Sequence, residues 1–234
     1  MGAPSDKVFV TGNIKIDRDV PDAKSEEALL HSLDEAFGFS KLAGPLIVAG
    51  STHTGEEEML LEALRRILRT SGLEQTRLLL APRHPERFDE VVRLTEQSGF
   101  KARRRTGGPG GDDAAEVLIL DTIGELATVY RFATVAFVGG TLVRHGGHSI
   151  MEPALYAKAI VVGPSVDNFR QIVDEFLAHG GVRRISAGQE DPKLQLQQLL
   201  DVFLQLLQNA EEREDLGRAA FSILERNRGT TQRT

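Results

Sequence analysis

From Pro45 onward, short apolar runs alternate with segments whose apolar residues recur at helical spacing. Pro45-Leu46-Ile47-Val48-Ala49-Gly50, Arg77-Leu78-Leu79-Leu80-Ala81, Glu116-Val117-Leu118-Ile119-Leu120, Thr134-Val135-Ala136-Phe137-Val138 and Ala159-Ile160-Val161-Val162 do not alternate with polar residues. That pattern suits strands buried on both faces, as in a parallel sheet. Phe100 to Arg105 reads as a polar edge strand, and Gly181 to Ile185 as a short last one. Between them, Glu56 to Leu73 places Met59, Leu60, Ala63, Leu64, Ile67 and Leu68 on one helical stripe. Further helices are expected over 85–99, 124–132, 149–156 and 168–179. From Asp191 the chain reads as helical, with a broad apolar face of Leu194, Leu196, Leu199, Leu200, Phe203, Leu204 and Leu207. Part of that face is expected to be left for docking or self-association.

Strand–helix alternation predicts an α/β fold, a doubly wound parallel sheet of Rossmann-like kind. The boundary falls at 44/45. Residues 1–44 hold an opening strand and turn (Lys7 to Asp17), a polar linker, and a short helix capped by Ser25-Glu26-Glu27 that bears Ala28, Leu29, Leu33 and Phe37. Residues 45–234 form the Rossmann-like domain with its C-terminal helices. Gly107 to Asp113 cannot hold regular structure and reads as a loop.

Composition narrows the function. The formal charge of -6 argues against a nucleic-acid binder, whose surface would be dominated by basic groups. The local run Lys101-Ala102-Arg103-Arg104-Arg105 is either an anion or membrane grip or a solvated strand end. Without cysteine there are no disulfides and no thiolate metal sites. No apolar run approaches the roughly 20 residues of a membrane helix.

In a sheet of this kind the ligand lies beyond the carboxyl ends of the strands, so candidate chemistry belongs to the loops that follow them. Gly50-Ser51-Thr52-His53-Thr54-Gly55-Glu56-Glu57 offers either a phosphate loop through Ser51, Thr52 and backbone N–H groups, or simple N-capping. It is no P-loop, because no Gly-Lys-Ser/Thr follows. Pro82-Arg83-His84-Pro85 presents a guanidinium fork suited to phosphate or carboxylate. Asp121-Thr122-Ile123-Gly124-Glu125 follows the next strand, and Glu125 reads as a first-turn dipole partner. Glycines 139, 140, 146 and 147 leave the backbone of the loop after Val138 uncovered, in keeping with an anion cradle. Glu152 suits a ribose diol. His145 and His148 invite a metal, but no third ligand has suitable spacing, and no metal is expected. Neither a nucleophile elbow nor a carboxylate pair for acid–base work is present, so no catalytic residue is assigned.

The ordered set Gly12-Asn13-Ile14-Lys15-Ile16-Asp17, Ser51-Thr52-His53 with Gly55-Glu56-Glu57, Pro82 to Phe88, Asp121 to Leu126, Phe137-Val138-Gly139-Gly140, Gly146-Gly147-His148, Glu152-Pro153, Gly163-Pro164 and Asn168-Phe169 resembles the C-terminal half of the Kdo (3-deoxy-D-manno-octulosonic acid) transferases. The resemblance covers nearly the whole chain. It implies the C-terminal half of a GT-B glycosyltransferase, with the donor CMP-Kdo held by Pro82 and Arg83, by Ile123, Gly124 and Glu125, and by Ser149, Ile150, Met151 and Glu152. Gly146 and Gly147, with Ser51 and Thr52, would border the phosphate. The family's Asn-Pro is Ser149-Ile150 here: serine can cap the helix but lacks the amide's donor, and isoleucine restores a backbone N–H.

The resemblance further implies a lipid A precursor as acceptor, held by an N-terminal half that also carries the general base and the membrane anchor. It implies a parent enzyme of lipopolysaccharide biosynthesis on the cytoplasmic face of the bacterial inner membrane, working with no cofactor. By itself the chain is expected to be soluble and inactive. The alternatives are a UDP-sugar epimerase-like domain and a non-catalytic nucleotide-binding module.

Overall fold

Seven of the runs pair into one parallel sheet in the computed structural model, which describes residues 23–108, 114–188 and 190–231. The strands are β1 (Leu46–Thr52), β2 (Arg77–Pro82), β3 (Ala102–Arg104), β4 (Val117–Ile119), β5 (Val135–Val138), β6 (Ala159–Val162) and β7 (Arg183–Arg184), in the order β3-β4-β2-β1-β5-β6-β7. Every pairing is parallel. From β1 the chain winds outward through β2 to the edge strand β3 and returns to β4 between them; from β5 it winds the other way through β6 and β7. The order therefore reverses between β1 and β5, and the loops that leave these two strands lie side by side at the carboxyl edge. The expected opening strand at 7–17 lies outside the described residues, as does most of the glycine-rich loop at 107–113.

Helices cover both faces, which is why the central strands are apolar throughout. α1 (Ala23–Phe37) and α4 (Leu126–Val129) bury Leu33, Ala36, Phe37 and Val129 on one face. α2 (Glu56–Ile67), α3 (Phe88–Gln97) and α7 (Pro192–Gln208) cover the other with Leu60, Leu64, Ile67, Val91, Leu199 and Phe203. α5 (Met151–Leu155), α6 (Arg170–Ala178) and α8 (Ala210–Thr231) enclose a third cluster around β6.

Several expectations change. Ser25 lies within α1 rather than at its cap, and the helix from Glu56 ends at Ile67. The C-terminal helical segment breaks at Asn209 into α7 and α8. The broad apolar face from Asp191 is not a docking surface: Leu199, Leu200, Phe203 and Leu207 are buried against the chain's own sheet, and only Leu194 stays largely exposed. The basic run is neither a grip nor a solvated end. Arg103 is buried; Arg104 pairs with Asp121 and Asp89, each at 2.6 Å. Arg105 pairs with Glu125 at 3.0 Å.

α8 approaches β6 and α5 closely because residue 217 has no side chain. A Cβ there would lie 2.0 Å from the carbonyl oxygen of Ala157. Gly→Ala in a helix ordinarily stabilises by about 1 kcal/mol, but here the obstacle is backbone and cannot rotate away. Gly217→Ala is therefore expected to lower stability by roughly 1–3 kcal/mol, read as a lower urea midpoint with unchanged slope.

Candidate functional site

The loops at the reversal point are organised by a buried carboxylate. Glu56 opens α2 with no solvent exposure. It accepts backbone N–H bonds from His53 (2.9 Å), Gly140 (2.7 Å), Thr141 (3.0 Å) and Leu142 (2.9 Å). Burial pushes the Glu56 carboxyl up, and the four N–H groups oppose that shift. The carboxylate thus fastens the loop after β1 to the loop after β5.

This arrangement revises the anion-cradle reading. The N–H groups at the head of the glycine loop face the chain's own carboxylate. The tail is engaged too: Gly146 N–H donates to Ser165 Oγ (2.9 Å) and Gly147 N–H to the Gly140 carbonyl (2.8 Å). Asn168 closes the loop by donating to the His145 carbonyl at 3.0 Å. Thr52, fully buried, donates its hydroxyl to Glu57 at 2.8 Å, and Arg87 binds the same carboxylate at 2.8 and 3.3 Å. The Thr52 hydroxyl and the N–H groups of Gly146 and Gly147 are therefore already engaged within the chain.

Ser51, Pro82, Arg83, Ile123 and Gly124 do converge, lining a cleft of about 130 Å³ at the ends of β1, β2 and β4. Arg83 is exposed, and among the described residues no ion pair neutralises it. Ile123 stands 79% exposed at the cleft rim and offers an apolar surface there. Glu125 does not line this cleft. Its carboxylate is taken by Arg105 at 3.0 Å and by the Thr122 hydroxyl. Asp121, within the same loop, binds Thr106 and Arg104; burial would raise it, but these bonds hold its carboxyl below the usual range.

The segment 149–152 lies apart from the cleft lining. Ser149 Oγ accepts the Met151 N–H at 3.3 Å. Ile150 is wholly buried in the core around β6, against which Met151 packs, so the Ile150 side chain cannot touch a ligand. Glu152 is half-buried; it acts on Tyr130, whose hydroxyl, raised first by burial and then by Glu152, sits against Gly50 at the end of β1.

Sequence reasoning missed a further convergence. Four of the six histidines gather at this edge. His53 Nε2 and His148 Nε2 are 2.7 Å apart, with their rings stacked at 5.1 Å. The His145 ring lies 3.9 Å from that of His53, and His84 meets His53 edge-on at 5.3 Å. The third partner that spacing failed to supply for His145 and His148 is His53, from the loop after β1. The sequence signals for it were its position after a buried strand and its place in the Ser51-Thr52-His53 motif.

No family model matches the chain. Over 233 residues it is 34% identical to a 3-deoxy-D-manno-octulosonic acid transferase from Haemophilus influenzae, covering 100% of this chain and 51% of that one. The chain thus spans about half the length of the curated relatives it matches. The crystal structure of the C-terminal CMP-Kdo binding domain of WaaA from Acinetobacter baumannii superposes with a TM-score of 0.74 at 32% identity, over 86% of this chain and 99% of that one. WaaG, a glycosyltransferase involved in lipopolysaccharide biosynthesis, shares the fold at 13% identity, with a TM-score of 0.55 over 88% of this chain and 47% of that one. The fold is that of a GT-B C-terminal domain.

Two outcomes follow from this geometry. Glu56→Gln replaces an all-acceptor group by one whose NH₂ opposes backbone donors, and should destabilise by ~3 kcal/mol or more in denaturant unfolding. The second concerns pH. Burial, then the neighbouring His145 charge, lowers both His53 and His148 from 6.5 to about 4. Below 6.5 the unfolded chain takes up protons first, so stability present above that pH declines between about 6.5 and 4. His148→Ala should flatten this fall in the melting temperature.

Proposed function

The chain belongs to the Kdo transferase family, in register with its C-terminal domain, and from this we propose that it binds the donor CMP-Kdo for transfer to a lipid A precursor. The observation that carries the reading is the cleft where Ser51, Pro82, Arg83, Ile123 and Gly124 meet at the carboxyl edge. Ile123 and Pro82 offer apolar contact to a pyrimidine ring, and Arg83 brings an unpaired cation to a phosphate. Glu152, half-buried at the head of α5, is kept as the partner of the ribose hydroxyls on the strength of the family resemblance. Glu125 would join the donor site only by leaving Arg105.

In the reaction proposed, a base on the other half removes the proton from an acceptor hydroxyl. That oxygen forms a bond to the Kdo anomeric carbon while the bond to the phosphate oxygen breaks, and CMP leaves with the electron pair. This chain's part is electrostatic. Arg83 offsets charge on the departing phosphate, and the rigid loops behind it need no rearrangement as that charge develops. None of its residues is assigned as catalytic.

The chain alone is accordingly read as binding the donor without transferring Kdo. Among the described residues no helix is long and apolar enough to cross a membrane. Attachment to the cytoplasmic face of the inner membrane is assigned to the complete enzyme. The relatives' names favour this reading over a sugar-epimerase domain or a stand-alone nucleotide module.

Calorimetric titration should give tighter binding of CMP than of UDP. Arg83→Ala should weaken CMP binding by about 10- to 100-fold, the worth of one or two charge-assisted hydrogen bonds. Equal affinity for the two nucleotides, or no loss in the variant, would remove the assignment. Incubating the chain with CMP-Kdo and a lipid A precursor should yield no product; any transfer would overturn the division of labour between the two halves.

A further inference from the structure

The loops at the reversal point bring together three imidazoles that no part of the donor reading uses. One ring nitrogen from each of His53, His145 and His148 lies within 4.8 Å of the others. We propose that these three residues form a binding site for a divalent transition-metal ion of the zinc class, with the remaining position open to water or an oxygen anion.

The first argument is distance. Zinc–imidazole bonds are about 2.0–2.1 Å, so a tetrahedral ion holds its nitrogens about 3.4 Å apart. The three nitrogens lie within 4.8 Å of one another, and the Nε2 atoms of His53 and His148 are 2.7 Å apart. Small ring rotations bring the nitrogens to the coordinated spacing. His145, exposed in the loop, has the freedom to make the larger adjustment.

The second argument is direction. A buried histidine kept for packing ordinarily aims its ring nitrogens at carbonyls or carboxylates. Here Nε2 of His53 faces Nε2 of His148, so at least one of the two presents a lone pair toward the other. An ion would replace that hydrogen bond with two coordinate bonds.

The third is preorganisation. Gly140, at φ +68, leaves the space both loop rings occupy. A Cβ there would lie 3.1 Å from His148 Cδ2 and 3.2 Å from His145 Cδ2. Glu56 holds the backbone of both His53 and Gly140, fixing the two loops at the separation the rings need and placing a buried carboxylate behind them. Three imidazoles from two loops make the open, three-nitrogen donor set of a site that keeps an exchangeable position. Nitrogen ligands select zinc, cobalt, nickel or copper over magnesium and calcium.

The experiment uses the full chain without a histidine tag, stripped with chelator, in the absence of nucleotide. Zn(II) titration should show one ion per chain, and Co(II) should give the visible absorption of a four-coordinate nitrogen site. His145→Gln, at an exposed position, and His148→Ala should each weaken Zn(II) binding by at least about 100-fold, more than the 10- to 100-fold usual for residues behind a ligand, with each variant's unfolding midpoint measured beside it. His179→Ala, remote from the cluster, should leave it unchanged. No Zn(II) binding, equal binding by His145→Gln and the unaltered chain, or equal loss in His179→Ala would overturn the site. A parallel CMP titration of the metal-free chain separates the two readings, since retained CMP binding with failed metal binding removes only this one.

Discussion

The Glu56 carboxylate is the constraint on which the carboxyl edge depends. It sits where the strand order reverses, the place at which two adjacent loops leave the sheet in opposite directions and would otherwise separate. Four backbone N–H groups from both loops converge on it. A buried carboxylate needs such donors to offset its lost hydration, and the buried loop N–H groups need an acceptor. Each side meets the other's requirement, and the result is a rigid floor made without any ligand.

Glu57 extends the same logic toward β2. Its carboxylate is buried and held by Thr52 and Arg87, so the loop after β1 is tied to the segment that begins α3. Arg83 lies between these fixed points, with its backbone N–H bonded to the Thr52 carbonyl at 3.0 Å. Its guanidinium is the part left exposed. The contrast between bound backbone and unpaired side chain is what makes the cleft a candidate for a phosphate-bearing ligand. Arg104 and Arg105 show the opposite outcome, since both are engaged by carboxylates within the chain.

A family resemblance carried by loop motifs does not say which motif residues touch a ligand and which build the floor beneath it. Ser51-Thr52 illustrates this within one dipeptide. Ser51 lines the cleft, while Thr52 turns inward to Glu57. Ser149-Ile150 divides likewise: the serine oxygen accepts a helix N–H, and the isoleucine fills the core.

What the sequence determined by itself was everything fixed by local period and by order. Unbroken apolar runs such as Leu46–Gly50 and Val135–Val138, too short for buried helices, read as covered strands, and their alternation with helical stripes pointed to a parallel, doubly wound sheet. The tertiary structure alone decided the pairings between segments far apart in the chain. Glu56 reads in sequence as an ordinary acidic residue at a helix start; only the neighbouring of β1 and β5 brings the N–H groups of residues 140–142 to it. His53 lies 95 positions from His148, so no spacing rule joins them. Hydrophobic periodicity reports which face a residue takes, whereas the partner of a buried charge or an imidazole is set by which strands lie side by side.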